Sequence, residues 1–323
     1  MVYEISLRED LRFSDGVPLT VDDVIFSMYV LADPTYTGPE GFGSLPVVGI
    51  EEYRSGMTAL MNLLVEAGRD NQNFELWTEE EQTAFWTDLD QAGTKFCQEI
   101  VDFCIAAGYA YDVASAAAAW GFDGLAQNAT TADFFTVLLD LYGGDLKSLS
   151  DIESAGSSLF SLMERYDDWL VGIKMGESAS GIRGIQRTGD YSLRVTLSKI
   201  DVTAIYQLAI PVAPLHHYGD ISQYRYEENQ FGFRKGELRE IRAKNSAPLG
   251  AGPYIYDGTE QGEILFYANP WYFAGEAEIE QVHFRNVGEK DPVEDVLNGT
   301  FDAADAPFPL DAAEFVKTVN ANG

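Results

Sequence analysis

Two kinds of hydrophobic spacing divide this sequence. Apolar and polar residues alternate from Tyr3 to Phe13, which is typical of a half-buried strand. Asp15-Gly16 predicts a turn, and Thr20 predicts the N-cap of a helix that ends before Pro34. Later strands are predicted at 191–197, 254–256, 263–267 and 279–285, with short helices at 202–209 and 291–298. The two ends of the chain therefore favour mixed strand and helix structure.

The middle of the chain has helical spacing instead. One stripe of apolar residues follows the i, i+3, i+4, i+7 pattern of a buried helix face: Met57, Leu60, Met61, Leu64 and Val65. Further helices are predicted at 78–107, 111–119, 130–142 and 150–171. Thr78 with Glu81 has the spacing of a capping box, and Thr131 precedes another apolar run. We therefore predict an α+β fold with a large all-α insertion at 50–181.

The charge of the chain is strongly one-sided. Fifty-two acidic and 21 basic residues give a formal net charge of −31. Such an acidic protein repels phosphate backbones and anionic lipid surfaces, so we expect no nucleic-acid partner. Cationic or zwitterionic ligands are compatible with this charge, and so is a simple role in solubility.

Cys97 and Cys104 are the two cysteines of the chain. On a helix they lie on one face, about 10 Å apart along the axis, which is too far for a disulfide. No apolar run is long enough to span a membrane, and the first residues lack the pattern of a secretory signal.

Catalytic and metal-binding motifs are absent from the sequence. His216 and His217 are adjacent and point in different directions on a regular backbone, and no HExxH or CxxC spacing occurs. The stretch Gly250-Ala251-Gly252 matches no phosphate-binding loop, and no G-x-S-x-G turn is present. We therefore expect a binding protein and no enzyme, with no catalytic residue, metal ligand or cofactor.

Three stretches, taken in order, resemble the family 5 solute-binding proteins of the oligopeptide, dipeptide and nickel type. The first runs from Tyr3 to Val24 and is similar to the family's L-R-x-x-x-x-F-x-D-G-x-P-x-T-A-x-D-V, with Val21 where alanine is usual. The second is Gly250-Ala251-Gly252-Pro253-Tyr254, followed by Ala268 to Phe273. The third is the strand from Ile279 to Arg285 with Leu297 to Asp302, which is similar to the family's S-G-E-I-D turn.

The resemblance implies one lobe of a two-lobed periplasmic binding protein, an α/β-type lobe with mixed sheets. Residues 1–49 and 182–305 correspond to lobe I, residues 50–181 to the helical insertion, and residues 306–323 to the start of a truncated second lobe. The chain is expected to lack the first strands and most of the C-terminal lobe. Its signal segment is also expected to lie outside this sequence.

The resemblance also implies ligand-binding residues. The chain after the third stretch lines the family's cleft, which here gives Ala304, Asp305, Ala306 and Phe308. A loop after the first helix also approaches the ligand, which gives Tyr36 and Phe42. A core position for either phenylalanine and a solvated turn for Asp305 remain open alternatives.

The implied function is solute capture for an ABC importer. An oligopeptide is the expected ligand, held between two lobes and delivered to the permease subunits by a monomeric protein. The implied location is extracytoplasmic, in the periplasm or, as a lipoprotein, on the outer face of the cytoplasmic membrane. Two alternatives remain open: a non-peptide solute such as nickel or a sugar, or the ligand-sensing domain of a regulator with the same fold.

Overall fold

The computed structural model describes residues 1–39, 41–285, 295–296 and 298–304. The chain divides into two compact units, Met1–Ala251 and Gly252–Gly323. The helices are α1 Val21–Leu31, α2 Ile50–Arg54, α3 Leu60–Ala67, α4 Glu79–Ala106, α5 Val113–Ala119, α6 Thr131–Leu141, α7 Leu146–Glu153, α8 Leu159–Leu162, α9 Tyr166–Trp169, α10 Ala204–Gln207, α11 Leu215–Tyr218 and α12 Arg239–Ala243. The strands are β1 Val2–Ser6, β2 Met57–Ala59, β3 Gly172–Lys174, β4 Ile185–Gly189, β5 Ser192–Thr196, β6 Tyr224–Arg225, β7 Gln230–Phe231, β8 Tyr254–Glu260, β9 Glu263–Ala268 and β10 Gln281–Arg285.

A small sheet and helix α1 form the part of the first unit that we call the scaffold (residues 1–56 and 175–251). The sheet has the order β1-β5-β4, and both of its strand pairs are antiparallel. Helix α1 begins after Thr20 with a capping box that Asp23 completes, as predicted. Its apolar face and the inner sheet residues enclose one core, with Phe13, Ile25, Met28, Leu193 and Val195 fully buried.

The first strand is shorter than predicted. β1 ends at Ser6, and the apolar residue Phe13 belongs to a tight turn instead. The amide of Phe13 donates to the carbonyl of Val17 at 2.9 Å, and Gly16 has a φ of +85°. The burial of Phe13 thus comes from a turn that only glycine closes without strain, rather than from a continuing strand.

Seven helices, α3 to α9, form the part that we call the block (residues 57–174). The antiparallel pair β2–β3 lies where the chain enters and leaves it. This corrects one predicted position, because Met57 lies in β2 whereas the other four residues of its stripe lie in α3. Around α4 the block builds its own core of aromatic and aliphatic side chains, including Phe85, Leu89, Phe96, Phe134 and Trp169.

The predicted helix at 150–171 is broken into three pieces, α7, α8 and α9. Two carboxylates of α4 account for the breaks. Asp88 accepts from the amides of Glu164 and Arg165 at 2.8 and 3.1 Å, and Glu99 accepts from the amide of Ser157 at 2.6 Å. Because these carboxylates satisfy amides that an unbroken helix would bond internally, the chain unwinds there without leaving donors unpaired.

The other block helices agree with the capping pattern. Thr78 and Glu81 form the capping box of α4, as predicted. The N-cap of α6 is Thr130 and not Thr131, because the side chain of Thr130 accepts from the amide of Asp133. Cys97 and Cys104 are buried on α4 as free thiols, and burial raises the pKa of Cys97 to about 12.

The second unit contains one sheet in the order β10-β9-β8. Asn269 is fully buried after β9, and its side chain donates to the carbonyl of Gly252 at 2.7 Å. Its side-chain oxygen accepts from the amide of Trp271 at 2.9 Å, so the two parts of the second motif meet at this turn. All strand pairs between described residues are antiparallel, whereas the resemblance had implied mixed sheets.

The structure as described is α+β, as predicted, and its block is helical apart from the strand pair β2–β3 at its base. The domain boundaries at 49, 181 and 305 stay a prediction. Most of the helix predicted at 291–298 and the whole segment 306–323 lie outside the described residues.

Candidate functional site

The residues of the first motif hold the scaffold together. Asp15 Oδ2 lies 2.7 Å from Nε2 of His216, far along the chain. Asp23 is buried; its carboxylate accepts from the amides of Thr20 and Leu215 at 2.8 and 2.9 Å. Burial raises the pKa of Asp23, while the two amide bonds oppose the rise. These residues therefore join α1 to α11 and have a structural role in the described part of the chain.

The segment after α1 is fixed by a second buried carboxylate, Asp33. Its Oδ1 accepts from the amide and the hydroxyl of Thr35 at 2.8 and 2.6 Å. Its Oδ2 accepts from the amide of Gly236 at 2.8 Å. Burial raises the pKa of Asp33, and these hydrogen bonds together with Lys235 act in the opposite direction. Asp33 thus ties the start of the segment 33–38 to the chain before α12.

Lys235 supports the same junction. Its ammonium donates to the carbonyl of Tyr53 and the hydroxyl of Ser178, and it lies 4.1 Å from the centre of the Tyr53 ring. Burial lowers the pKa of Lys235, and the charge of Asp33 opposes that change. Lys235 thus lies over a ring face, with the charge of Asp33 nearby but without an ion pair between the two described residues.

Tyr36, one of the predicted ligand residues, stands on this fixed segment. Its amide donates to the carbonyl of Asp33 at 3.0 Å, which closes a turn. The side chain is half-buried, and burial raises its pKa. A Cβ atom at Gly38 would lie only 2.3 Å from the Tyr36 hydroxyl, so a glycine at 38 leaves room for this ring.

Tyr36 separates two cavities. The smaller, which we call the scaffold cavity, has a volume of about 550 Å³. Its walls are mainly apolar and come from α1, α11, α12 and the segment before α11; they include Phe26, Val30, Ala213, Tyr218, Leu238 and Leu249. An apolar cavity of this size with a few polar groups is typical of a small-molecule site.

Arg242 gives the scaffold cavity a polar end. Its Nε donates to Asp167 at 2.5 Å, and its Nη1 is buried without a hydrogen-bond partner among the described residues. Buried donors are nearly always satisfied in folded proteins.

The larger cavity, which we call the block cavity, has a volume of about 780 Å³. It lies between the segment 34–38 and the block, and Leu31, Tyr36, Thr37 and Gly38 line both cavities. Residues of α3, α7 and α9 form its other wall.

The remaining predicted ligand residues have different positions. Phe42 is only 2% exposed and packs in the scaffold core, so in this structure it offers almost no surface to a ligand. Ala304 is exposed. Asp305, Ala306 and Phe308 lie outside the described residues. Their ligand-binding roles stay predictions.

Sequence reasoning did not identify Arg54, Tyr166 or Arg242 as cavity residues. Tyr166 reaches the cavity because the chain unwinds before α9, and no pattern in the sequence marks that break. The only indication of a binding role for Arg242 in the sequence was a weak one, namely that basic residues are few in so acidic a chain.

Two features are absent from the part of the chain that the structure describes. No cluster of three or more histidine, cysteine or carboxylate side chains suited to a metal ion occurs among the described residues. Of the helices in the described part, none has the length and apolar character needed to span a membrane.

Comparison with known families gives one match. The profile of the bacterial extracellular solute-binding proteins, family 5 Middle, matches residues 1–73 and 112–322. The segment between the two matched parts contains the whole of α4. No curated protein matches the chain.

Several solved structures are similar over part of their length. NikZ from Campylobacter jejuni in complex with Ni(L-His) is 13% identical, with a TM-score of 0.37; the match covers 93% of this chain and 30% of NikZ. The putative peptide binding protein AppA from Clostridium difficile is 11% identical, with a TM-score of 0.35 and coverages of 93% and 32%. HbpA2 from Haemophilus parasuis is 20% identical, with a TM-score of 0.33 and coverages of 42% and 25%. The chain thus spans about a third or less of each of these structures.

Proposed function

The chain belongs to the bacterial extracellular solute-binding proteins of family 5, and from this premise we propose that it captures a solute for an ABC importer. In this proposal the solute is held between two lobes, of which this chain supplies part of the first, and is then delivered to the permease subunits. The observation that carries the proposal is the family match over most of the chain, on both sides of α4.

An oligopeptide is the solute that we propose. The scaffold cavity supports this choice, because its apolar walls suit a side chain and Arg242, which is among its lining residues, suits a carbonyl or carboxylate oxygen. Peptides present both groups side by side. The net charge of −31 is compatible with zwitterionic and cationic peptides and disfavours strongly anionic solutes.

The proposal includes three further points. The protein binds its solute without turning it over, it acts as a monomer, and it works outside the cytoplasm, either in the periplasm or as a lipoprotein at the outer face of the membrane. Tyr36 is the predicted ligand residue that the scaffold cavity supports most directly, since its ring forms part of the wall.

Calorimetric titration of the purified chain tests this function. A pool of di- and tripeptides is the first probe, and nickel–histidine and a panel of monosaccharides are the second and third. We expect saturable heat with peptides and none with the other two. If only nickel–histidine or only a sugar gave heat, that solute would replace the peptide as the proposed ligand. If none of the probes gave heat, solute binding by this part of the protein would be contradicted.

Variants that fill one cavity at a time test where the peptide binds. Ala213 lines the scaffold cavity but not the block cavity, so Ala213→Leu should weaken peptide binding by occupying space in the first. Asn62→Trp places a large side chain on the exposed wall of the block cavity and serves as the matched control. Peptide binding that is unchanged in Ala213→Leu would exclude the scaffold cavity.

A further inference from the structure

The block cavity has two walls that come from different parts of the chain. The scaffold wall consists of the segment 34–38 and Arg54, which lies at the end of α2. The block wall includes residues on α3, the turn before α7, α7 itself, α8 and α9: Asn62, Val65, Glu66, Asp145, Lys147, Phe160 and Tyr166. A volume of about 780 Å³ lies within the range of small-molecule sites.

Polar bonds hold the two walls at a fixed separation. Successive residues of α9 each contact the scaffold: Tyr166 by a hydrogen bond with Thr37, Asp167 with Arg242 at 2.5 Å, and Asp168 with Arg239 at 3.2 Å. At the base of the block, the amide of Gly172 in β3 donates to the carbonyl of Gly236 in the scaffold at 2.7 Å. The cavity is therefore a built feature of the first unit, since four separate contacts maintain it.

Charges of opposite sign lie on the opposite walls. On the scaffold wall, Arg54 donates to the carbonyl of Gly43 at 3.0 Å and forms no ion pair with a described carboxylate. On the block wall, Glu66 is exposed and has neither a hydrogen bond nor an ion pair with a described residue. Lys147, by contrast, pairs with Asp151 at 2.7 Å on the same helix. Asp145 on the block wall also lacks an ion pair, but its carboxylate accepts from the amide and the hydroxyl of Ser148 at 3.0 and 2.8 Å. The charged groups left for a ligand are thus Arg54 on one side and Glu66 on the other.

Aromatic rings lie beside these charges. Phe160 and Tyr166 stack with centroids 4.8 Å apart, and Tyr36 contributes a third ring from the scaffold wall. Burial raises the pKa of Tyr166, so its hydroxyl is neutral at ordinary pH and serves as a hydrogen-bonding group. Rings in this setting favour a flat apolar group on the ligand.

We propose that the block cavity is a second solute site, separate from the scaffold cavity, and that it binds a small aromatic zwitterion such as a free aromatic amino acid. The carboxylate of the ligand pairs with Arg54, its ammonium group pairs with Glu66, and its ring packs among Tyr36, Phe160 and Tyr166. This site does not depend on the proposed transport of peptides, because neither Arg54 nor Glu66 lines the scaffold cavity.

Three probes that differ by one charged group test the proposal by calorimetry on the whole chain. Phenylalanine carries both charges, phenethylamine lacks the carboxylate, and 3-phenylpropanoate lacks the ammonium group. We expect phenylalanine to bind about tenfold or more tightly than either analogue, because each analogue leaves one wall charge unpaired. Equal affinity for all three, or no heat with phenylalanine, would overturn the proposal.

Two variants, each of which replaces one charged side chain by a neutral one, test which residue pairs with which charged group of the ligand. Arg54→Gln should weaken phenylalanine binding about tenfold and leave phenethylamine unchanged, whereas Glu66→Gln should weaken phenylalanine similarly and leave 3-phenylpropanoate unchanged. Both residues are exposed, so we expect the same thermal unfolding as the parent chain. Phenylalanine binding that neither variant changes would also overturn the proposal.

The scaffold-cavity variant separates this site from the proposed function. Ala213→Leu should leave phenylalanine binding unchanged, and Asn62→Trp should abolish it. Loss of phenylalanine binding in Ala213→Leu would place the ligand in the scaffold cavity and contradict a second site. Peptide binding without phenylalanine binding would contradict the second site alone and leave the proposed function intact.

Discussion

The block and the scaffold belong to one compact unit but are stabilised in different ways. The block is organised around one long helix, α4, whose buried face carries apolar and aromatic side chains from Phe85 to Cys104. Its neighbouring helices α5, α6 and α8 pack directly on that face. Burial of large apolar side chains in a dry core is the main source of its stability.

The scaffold has an apolar core too, but its buried polar groups connect elements that lie much farther apart along the chain than those that Asp88 connects in the block. Asp23 joins α1 to Leu215, and Asp33 joins the end of α1 to Gly236, about 200 positions away along the chain. The hydroxyl of Tyr29 accepts from the amide of Ile182 at 2.8 Å, across a similar span. These bonds decide which distant segments meet.

The difference shows how each region depends on single residues. In the block, many apolar contacts share the stabilisation, so one lost ring leaves a cavity that neighbours can partly fill. In the scaffold, a lost carboxylate leaves several buried donors unpaired, and no neighbour can replace it. Loss of a buried ring and loss of a buried carboxylate lower the free energy of unfolding by similar amounts, but for different reasons.

The largest effect is expected for Phe96→Ala in the block. Phe96 is 1% exposed on α4, and removing a buried ring costs about 3–5 kcal/mol in the free energy of unfolding. Urea unfolding followed by tryptophan fluorescence measures it, since Trp77, Trp86, Trp120 and Trp169 all lie in the block. Phe103→Ala is the matched control on the same helix, because Phe103 is 49% exposed. Similar costs for both variants would contradict a core centred on α4.

The next largest effect is expected for Asp33→Ala in the scaffold. The change leaves the amides of Thr35 and Gly236 without an acceptor and removes the nearby negative charge from Lys235, which costs about 3 kcal/mol in all. The urea midpoint measures the loss, with exposed Glu240→Ala as the control that should change it by less than about 0.5 kcal/mol. If the two variants were equally stable, the polar account of the scaffold would fail.

These two cases explain which parts of the fold the sequence could predict. The bounds of α4 and its capping box follow from local spacing, and the prediction of Thr78 as the N-cap was confirmed. The helix predicted at 150–171 was wrong as one element, because Asp88 and Glu99 capture its amides from a distant helix. Hydrophobic periodicity reports on residues that are close along the chain and contains no information about hydrogen bonds between distant segments.

The candidate site was less predictable than the fold. Tyr36 was placed by resemblance to the family, and the structure puts its ring on the wall of two cavities. The partners that create those cavities, among them Tyr166 and Arg242, lie far from Tyr36 in sequence and meet it only through α9 and α12. Phe42, on the same predicted loop, packs inward, and a phenylalanine in a sequence does not show which way it faces.

A smaller effect is expected for Thr78→Ala at the start of α4. The side chain of Thr78 accepts from the amide of Glu81 at 3.1 Å, and its loss should cost about 1 kcal/mol. Thr83→Ala is the control, because Thr83 is exposed inside the same helix and alanine favours helix at that position. The difference in urea midpoint between the two variants measures the cap alone. A cost for Thr83→Ala as large as that for Thr78→Ala would show that the cap contributes nothing specific.

The smallest effect is a pH dependence of opposite sign in the two regions. In the block, hydrogen bonds from Thr130 hold the pKa of Asp133 below its usual value, so this carboxylate stabilises the fold above the unfolded pKa of about 3.9, and the stabilisation is lost as pH falls through the lowered value. In the scaffold, burial raises the pKa of Asp33. The folded state then retains a proton that the unfolded chain has released, so the stability from this group falls as pH rises from about 3.9 through the raised value.

Substitution by asparagine makes that difference measurable. Relative to the parent chain, Asp133→Asn should cost more stability at about pH 7 than at about pH 4, and Asp33→Asn should cost less at about pH 7 than at about pH 4. Urea unfolding of the three proteins at both pH values gives the comparison, and the sign of each change is the result that matters. The change for Asp133 should be the smaller, since its carboxylate is exposed to solvent and screened by salt. The same sign for both variants would mean that the carboxylates of block and scaffold are stabilised alike, and the distinction between an apolar block and a polar-linked scaffold would then rest on packing alone.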